Sequence, residues 1–279
     1  MEDSRKQNKE NKGKEDSNLI KQKCKIEDIK SKFVVQKVFA NLSKKNLFEI
    51  VKYNNKIKTR IDININNYKE FREKYSTIEI ELIPIENEKY IKGKFINIKD
   101  EKQLFFHIYF NDNNEEIKRN YINKEDNVSK INIIIDYQID SFKSLFFNCT
   151  CIESISFKKF YRNNITNMCN MFCNCTTLKE IDLSNFNTNN VTDMDSMFLN
   201  CYKLKKIELS KFKTDKVTDM RFMFGGCWSL EEINISNFNF DNVINMTGML
   251  DDCKDEIKKK FKFQNNKIND DAMGINTRR

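Results

Sequence analysis

Five cysteines, Cys149, Cys175, Cys201, Cys227 and Cys253, recur 26 residues apart, and evenly spaced thiols could cross-link, ligate a metal or oxidise. Equivalent positions of a repeat stack with parallel side-chain vectors, whereas a disulfide needs its two Cβ atoms to converge. The column is therefore expected to hold buried free thiols that behave as small apolar residues. Cys169, Cys173 and Cys175 come nearest to zinc-ligand spacing, but no histidine lies close by and a fourth ligand is not evident. His107, the single histidine, sits in the strand-like QLFFHIYF, where a packed or edge position is expected. The six glycines are too scattered to form a phosphate-binding loop. Asp251 and Asp252 fall at a repeat turn. No catalytic residue, metal or cofactor is expected, and the chain reads as a non-enzyme.

Each cysteine closes the same short phrase: LFFNC, MFCNC, MFLNC, MFGGC, MLDDC. Counting from it, positions +3, +6 and +8 carry aliphatic or aromatic residues, as in Leu178, Ile181 and Leu183, and the +6/+8 alternation predicts a short strand with one buried face. Position +11 is always phenylalanine (Phe160, Phe186, Phe212, Phe238), and +16, +19, +22 and +23 are apolar, as in Val191, Met194, Met197 and Phe198. That second spacing predicts a helical turn or two. One such coil cannot fold alone, because burying about ten apolar side chains at roughly 1.5–3 kcal/mol each does not offset ordering costs of about 1–2 kcal/mol per residue. Stacked coils cover one another, which predicts a solenoid. Asn167, Asp193, Asp219 and Asn245 at +18 are expected to cap turn amides.

The stretch LKEIDLSNFNTNNVTDMDSMFLNC, residues 178–201, resembles the BspA-like leucine-rich repeat, a 26-residue surface-protein repeat of mycoplasmal, treponemal and some protist proteins. Residues 152–175, 204–227 and 230–253 match with small departures. The resemblance implies a solenoid used for protein or surface binding and implies no catalysis. Extracellular relatives carry a secretory signal, but this chain opens MEDSRKQNKENKGKEDSN, without an apolar core. It also lacks a run of about 18 apolar residues that would span a membrane. A cytoplasmic location is expected, and the surface-binding role stands as an alternative.

Lysine and arginine total 49 against 41 acidic residues, a net charge of +8 spread through the sequence, and 23 phenylalanines supply core material. A nucleic-acid platform would concentrate its basic residues, so no nucleic-acid partner is expected. Residues 1–22 read as a disordered charged tail. Residues 23–75 carry apolar residues mostly at three- and four-residue steps, the pattern of amphipathic helices. Within them, residues 31–61 resemble an F-box, with Val38, Phe39 and Leu42 in the places of its IFxxL signature but without the usual leading Leu-Pro. That resemblance implies a Skp-type adaptor docked through Phe39 and Leu42, and hence a substrate receptor of a ubiquitin ligase; the plainer reading is a helical lead-in. Residues 76–138 are short β-branched and aromatic runs between polar turns, expected as an antiparallel β region. The fold class is thus α/β. A leucine-rich-repeat-like solenoid of strand plus short helix coils, residues 139–253, follows a small helical segment and a β region acting as its N-terminal cap, and residues 254–279 form a C-terminal cap and basic tail.

A partner surface is expected on outward strand positions. Position +7 sets Asp182 beside Glu208, a juxtaposition of like charges that a basic partner would relieve, although a solvated strip is the plainer reading. Position +1 adds Tyr202 and Trp228, the chain's only tryptophan, as aromatic anchors. A protein partner is therefore expected.

Overall fold

In a computed structural model of the chain, residues 76–86, 92–136, 139–264 and 268–274 are described. The chain divides into two units, Met1–Arg72 and Glu73–Arg279, and every described residue belongs to the second. The expected tail, the helical segment and the adaptor-docking pair Phe39 and Leu42 lie outside the described residues. The architecture is mixed α/β, mostly strands, with one α-helix among the described residues and an open main sheet.

The cap is built from strands whose alternation is visible residue by residue. In β1 (Ile78–Pro84), β3 (Phe106–Phe110) and β6 (Ile131–Ile135) every second side chain is buried, the period-2 pattern of a sheet packed on one face. With β4 (Glu116–Ile117), β7 (Ile152–Lys159) and β8 (Glu180–Asp182) they form one sheet in the order β4-β3-β6-β1-β7-β8. A separate hairpin-like pair, β2 (Lys92–Lys94) and β5 (Tyr121–Asn123), lies outside it. Pairing is antiparallel as far as β7, with Ile80 opposite both Ile133 and Phe157. It becomes parallel at β7/β8, where Ile155 faces Ile181 one repeat later. The cap is therefore joined edge-on to the first repeat strand, and β1 rather than the later β6 makes the junction. Arg162 secures the same corner. It is fully buried and its Nε donates to the Ser76 carbonyl at 2.9 Å. Burial lowers its pKa to about 10 against the opposing pull of Asp136.

Beyond β7 the repeats stack in register. Parallel bridges run Ser141, Asn167, Asp193, Asp219, Asn245. Phe146, Phe172, Phe198 and Phe224 stack face to face with centroids 5.6, 5.3 and 5.7 Å apart. Each cysteine of the column is buried and free, and Cys175, Cys201, Cys227 and Cys253 point their thiols at the carbonyls of Phe146, Phe172, Phe198 and Phe224, 3.1–3.3 Å away. Burial pushes the Cys253 thiol up to about 12. At +18, Asn167, Asp193, Asp219 and Asn245 each accept the amide two residues on, as expected of turn caps.

The helical turns expected at +16 to +23 are a correction. Those residues form consecutive hydrogen-bonded turns with no helix assigned. Two left-handed residues per repeat interrupt any helix: one directly before the cysteine (Asn148, Asn174, Asn200, Gly226, Asp252) and one four residues earlier (Ser144, Asn170, Ser196, Phe222, Gly248). The consequence is an alternating hydrogen-bond scheme. Phe172 and Phe198 N–H donate laterally to Met197 and Met223 carbonyls of the next coil, whereas Cys175 and Cys201 N–H donate locally to Phe172 and Phe198. A helix would keep all these bonds within the coil and leave none for stacking.

The asparagines before the cysteines form a side-chain ladder: Asn200 Nδ2 donates to Asn174 Oδ1 and Asn174 Nδ2 to Asn148 Oδ1, both at 2.8 Å. The ladder stops at Gly226, whose φ of +69° suits asparagine as well as glycine. A Cβ there would collide with Oδ1 of the Asn200 carboxamide, which the ladder already holds, and would crowd the Asn200 backbone. Gly226→Asn is expected to displace Asn200 from its bond to Asn174 and to lower stability by about 1 kcal/mol, read as a lower melting temperature.

A ten-residue helix, α1 (Asp255–Gln264), ends the stack. Its Phe261 packs edge-on against Phe224, with centroids 5.8 Å apart, where a further stacked ring would otherwise sit. Gly248 and Leu250 N–H then donate to Asp271 and Ala272, so the chain returns to supply one more rung beyond Cys253.

Candidate interaction face

The short repeat strands β9 (Lys206–Glu208) and β10 (Glu232–Asn234) bury their +6 side chains, β8 only partly covers Ile181, and all three turn +5 and +7 outward. The +7 acids have an internal task. Asp182 Oδ1 accepts the Ser184 amide at 2.9 Å, Glu208 Oε1 the Ser210 amide at 2.8 Å, and Asn234 Oδ1 the Ser236 amide at 3.2 Å. Glu208 Oε2 also accepts Asn234 Nδ2 at 3.1 Å. Hydrogen bonding from Ser184 lowers the Asp182 pKa, and bonding from Ser210 lowers that of Glu208. Both carboxylates remain exposed on the strand face, yet each is already the cap of its own turn.

Tyr202 and Trp228 come together. Their rings stack with centroids 4.5 Å apart at 22°, and Trp228 is 55% exposed. Each follows a fully buried cysteine, so the backbone that fixes the thiol inward directs the next side chain out. The Trp228 amide is held at 2.9 Å by the Gly226 carbonyl.

Sequence reasoning did not foresee that the repeat sheet is interrupted. β7 pairs with β8 and β9 with β10, but no backbone hydrogen bond joins β8 to β9 among the described residues. On the opposite side of the coils the bridges run on unbroken. A cleft of about 580 Å³ occupies the break. Ile181, on its floor, is only partly buried, whereas Ile155, Ile207 and Ile233 at the same position are 0–2% exposed. Four lysines line the cleft, Lys179, Lys203, Lys205 and Lys206. Lys179 is paired with Glu153 at 2.7 Å and Lys206 with Glu232 at 2.6 Å. Among the described residues Lys203 and Lys205 make no such ion pair, although Glu231 lies close enough to Lys205 to feel its charge. The signal for them was the adjacent lysines at +4, Lys179 and Lys205, between Glu153 and Glu231.

His107 lies on β3 between Glu116, 3.0 Å from Nδ1, and Asp136, 3.6 Å from Nε2, a polar cluster linking β3 to the elements on either side. Among the described residues no group of three histidines, cysteines or acids is placed to hold a metal, and no helix is long and apolar enough to cross a membrane.

Residues 140–263 match the family model described as Mycoplasma protein of unknown function, DUF285, a repeat domain related to the BspA-like proteins. No curated protein and no solved structure matches the chain.

Proposed function

We propose that residues 139–253 form a leucine-rich-repeat-like solenoid that serves as a non-catalytic scaffold for a protein partner. The observation that carries this reading is the stacked Tyr202–Trp228 pair, each ring directly following a fully buried cysteine. Large aromatic rings already held in place lose little conformational freedom on binding and bury much area, which is why they recur as energetic centres of protein interfaces. The repeat supports the same reading, since stacked coils give an extended surface whose inner residues are occupied with packing while the outer ones are free to vary. The match to a BspA-related repeat family agrees with it. Asp182 and Glu208 contribute to this surface as fixed turn acids.

Trp228→Ala tests the proposal. Affinity purification of the tagged full chain from its source organism, quantified by mass spectrometry, is expected to lose its specific partners at least tenfold with this variant, the loss typical of an interface aromatic. The melting temperature should stay within a few degrees of the parent, because the indole is more than half exposed. Unchanged recovery by a folded variant would contradict the reading.

A further inference from the structure

The +1 column of side chains stops short of its next member. Tyr202 and Trp228 fill successive levels with rings 4.5 Å apart, and Tyr202 is half-buried while Trp228 stays 55% exposed. The following place in the column belongs to Lys254, which succeeds Cys253 as Trp228 succeeds Cys227. Register holds through that level: the Cys253 thiol meets the Phe224 carbonyl at 3.1 Å, as each earlier thiol meets its own, and the Gly226 amide donates to Asp251. A lysine one level away has the reach to lay its ammonium over an indole, the best aromatic partner for a cation. Lys254 does not do so. Its Nζ turns instead to Glu231 Oε1, 2.8 Å away, and among the described residues no cation lies over the Trp228 ring. Hydrogen bonding from Lys254 lowers the Glu231 pKa, and the charge of Lys205 acts in the same direction.

Resting on the scaffold reading above, we infer that Glu231 is a positioning residue of the interface: it holds Lys254 aside and keeps the outer face of Trp228 bare for the partner protein. Glu231 acts through Lys254, and its effect is competitive. Without the carboxylate the ammonium settles on the indole, and a partner side chain must displace it to bind. An ion pair at the surface contributes little to stability, so the consequence of this one lies in where it directs the lysine. The exposed cation–π contact that would replace it is of comparable strength. Both arrangements of Lys254 are therefore within reach, and the carboxylate decides between them.

Trp228 is the chain's only tryptophan, so acrylamide quenching of the full chain's tryptophan fluorescence reads this indole alone. Glu231→Gln is expected to lower the quenching constant about twofold, as the ammonium covers the open ring face. Recovery of specific partners by affinity purification should fall about two- to fivefold with the same variant, the range of one exposed cation–π contact. Combining Glu231→Gln with Lys254→Ala removes the competing ammonium and should return both quantities to the parent values. Melting temperatures should stay within a few degrees throughout, because the pair lies at the surface. Quenching unchanged by Glu231→Gln, or a double variant as impaired as Glu231→Gln alone, would overturn the inference. Quenching needs no partner, so it decides the role of Glu231 even if Trp228→Ala spared partner recovery and thereby removed the scaffold reading. Loss of partners on Trp228→Ala with unaltered quenching on Glu231→Gln would leave the scaffold reading standing and remove only the role of Glu231.

Discussion

Phe198→Ala is expected to lower the unfolding free energy by about 3–5 kcal/mol, the range for deleting a fully buried aromatic ring. Phe198 is the middle ring of the column, 5.3 Å from Phe172 and 5.7 Å from Phe224, and has no exposed surface. Removing it empties a slot whose walls are fixed from both sides. Each neighbouring coil is pinned by lateral backbone bonds, Phe172 to Met197 and Phe198 to Met223, so collapse into the gap would break the ladder. Phe198→Leu is expected to cost less than half as much, because Leu250 already fills the equivalent place one level from the end of the stack. Equilibrium denaturation of the two variants measures the difference. An alanine cost under about 1 kcal/mol would mean that the coils do not share one continuous core.

Thr214→Val is expected to cost about 1–3 kcal/mol although it preserves shape, because it strands buried polar groups. Thr214 is fully buried, and its hydroxyl donates to the Asn239 carbonyl at 2.6 Å while accepting the Asn239 amide at 2.7 Å. Thr188 makes the same double bond to Lys213, at 2.8 Å each way. The two threonines stitch consecutive coils where no strand pairing exists. Thr214→Ser should retain most of the stability, since it keeps the hydroxyl. A neutral valine variant would show that the two hydrogen bonds add nothing net and that the side chain contributes through packing alone.

The repeat period, the +6/+8 strands and the β-rich cap follow from features that act locally. Alternation in IEIEL and INIII reports one buried face directly, and identical residues at each level report stacking. The missed helix has a local cause too. Apolar residues at +16, +19, +22 and +23 satisfy a helix and a chain of turns equally well, and the deciding residues are polar: Asn148, Asn174 and Asn200 occupy left-handed positions that asparagine tolerates and most residues do not. Phe222 shows the limit of that rule, standing at φ +49° where nothing in its side chain favours it. The break between β8 and β9 left a trace in the sequence: only there does +4 set Lys179 beside Lys205 and +7 set Asp182 beside Glu208, like charges that the paired levels do not bring together. In contrast, Asp182 and Glu208 read as a charged surface until Ser184 and Ser210 showed where their oxygens are directed.

That the aromatic strand face is where the protein meets its partner is tested most directly by photo-crosslinking in the source organism. A benzophenone amino acid placed at Ser229, beside Trp228, is compared with one at Thr218, an exposed residue next to Asp219 of the bridge row. The account predicts a discrete cross-linked adduct from Ser229 that is lost with Trp228→Ala, and none from Thr218. An adduct from Thr218 alone, or equal labelling at both positions, would contradict it.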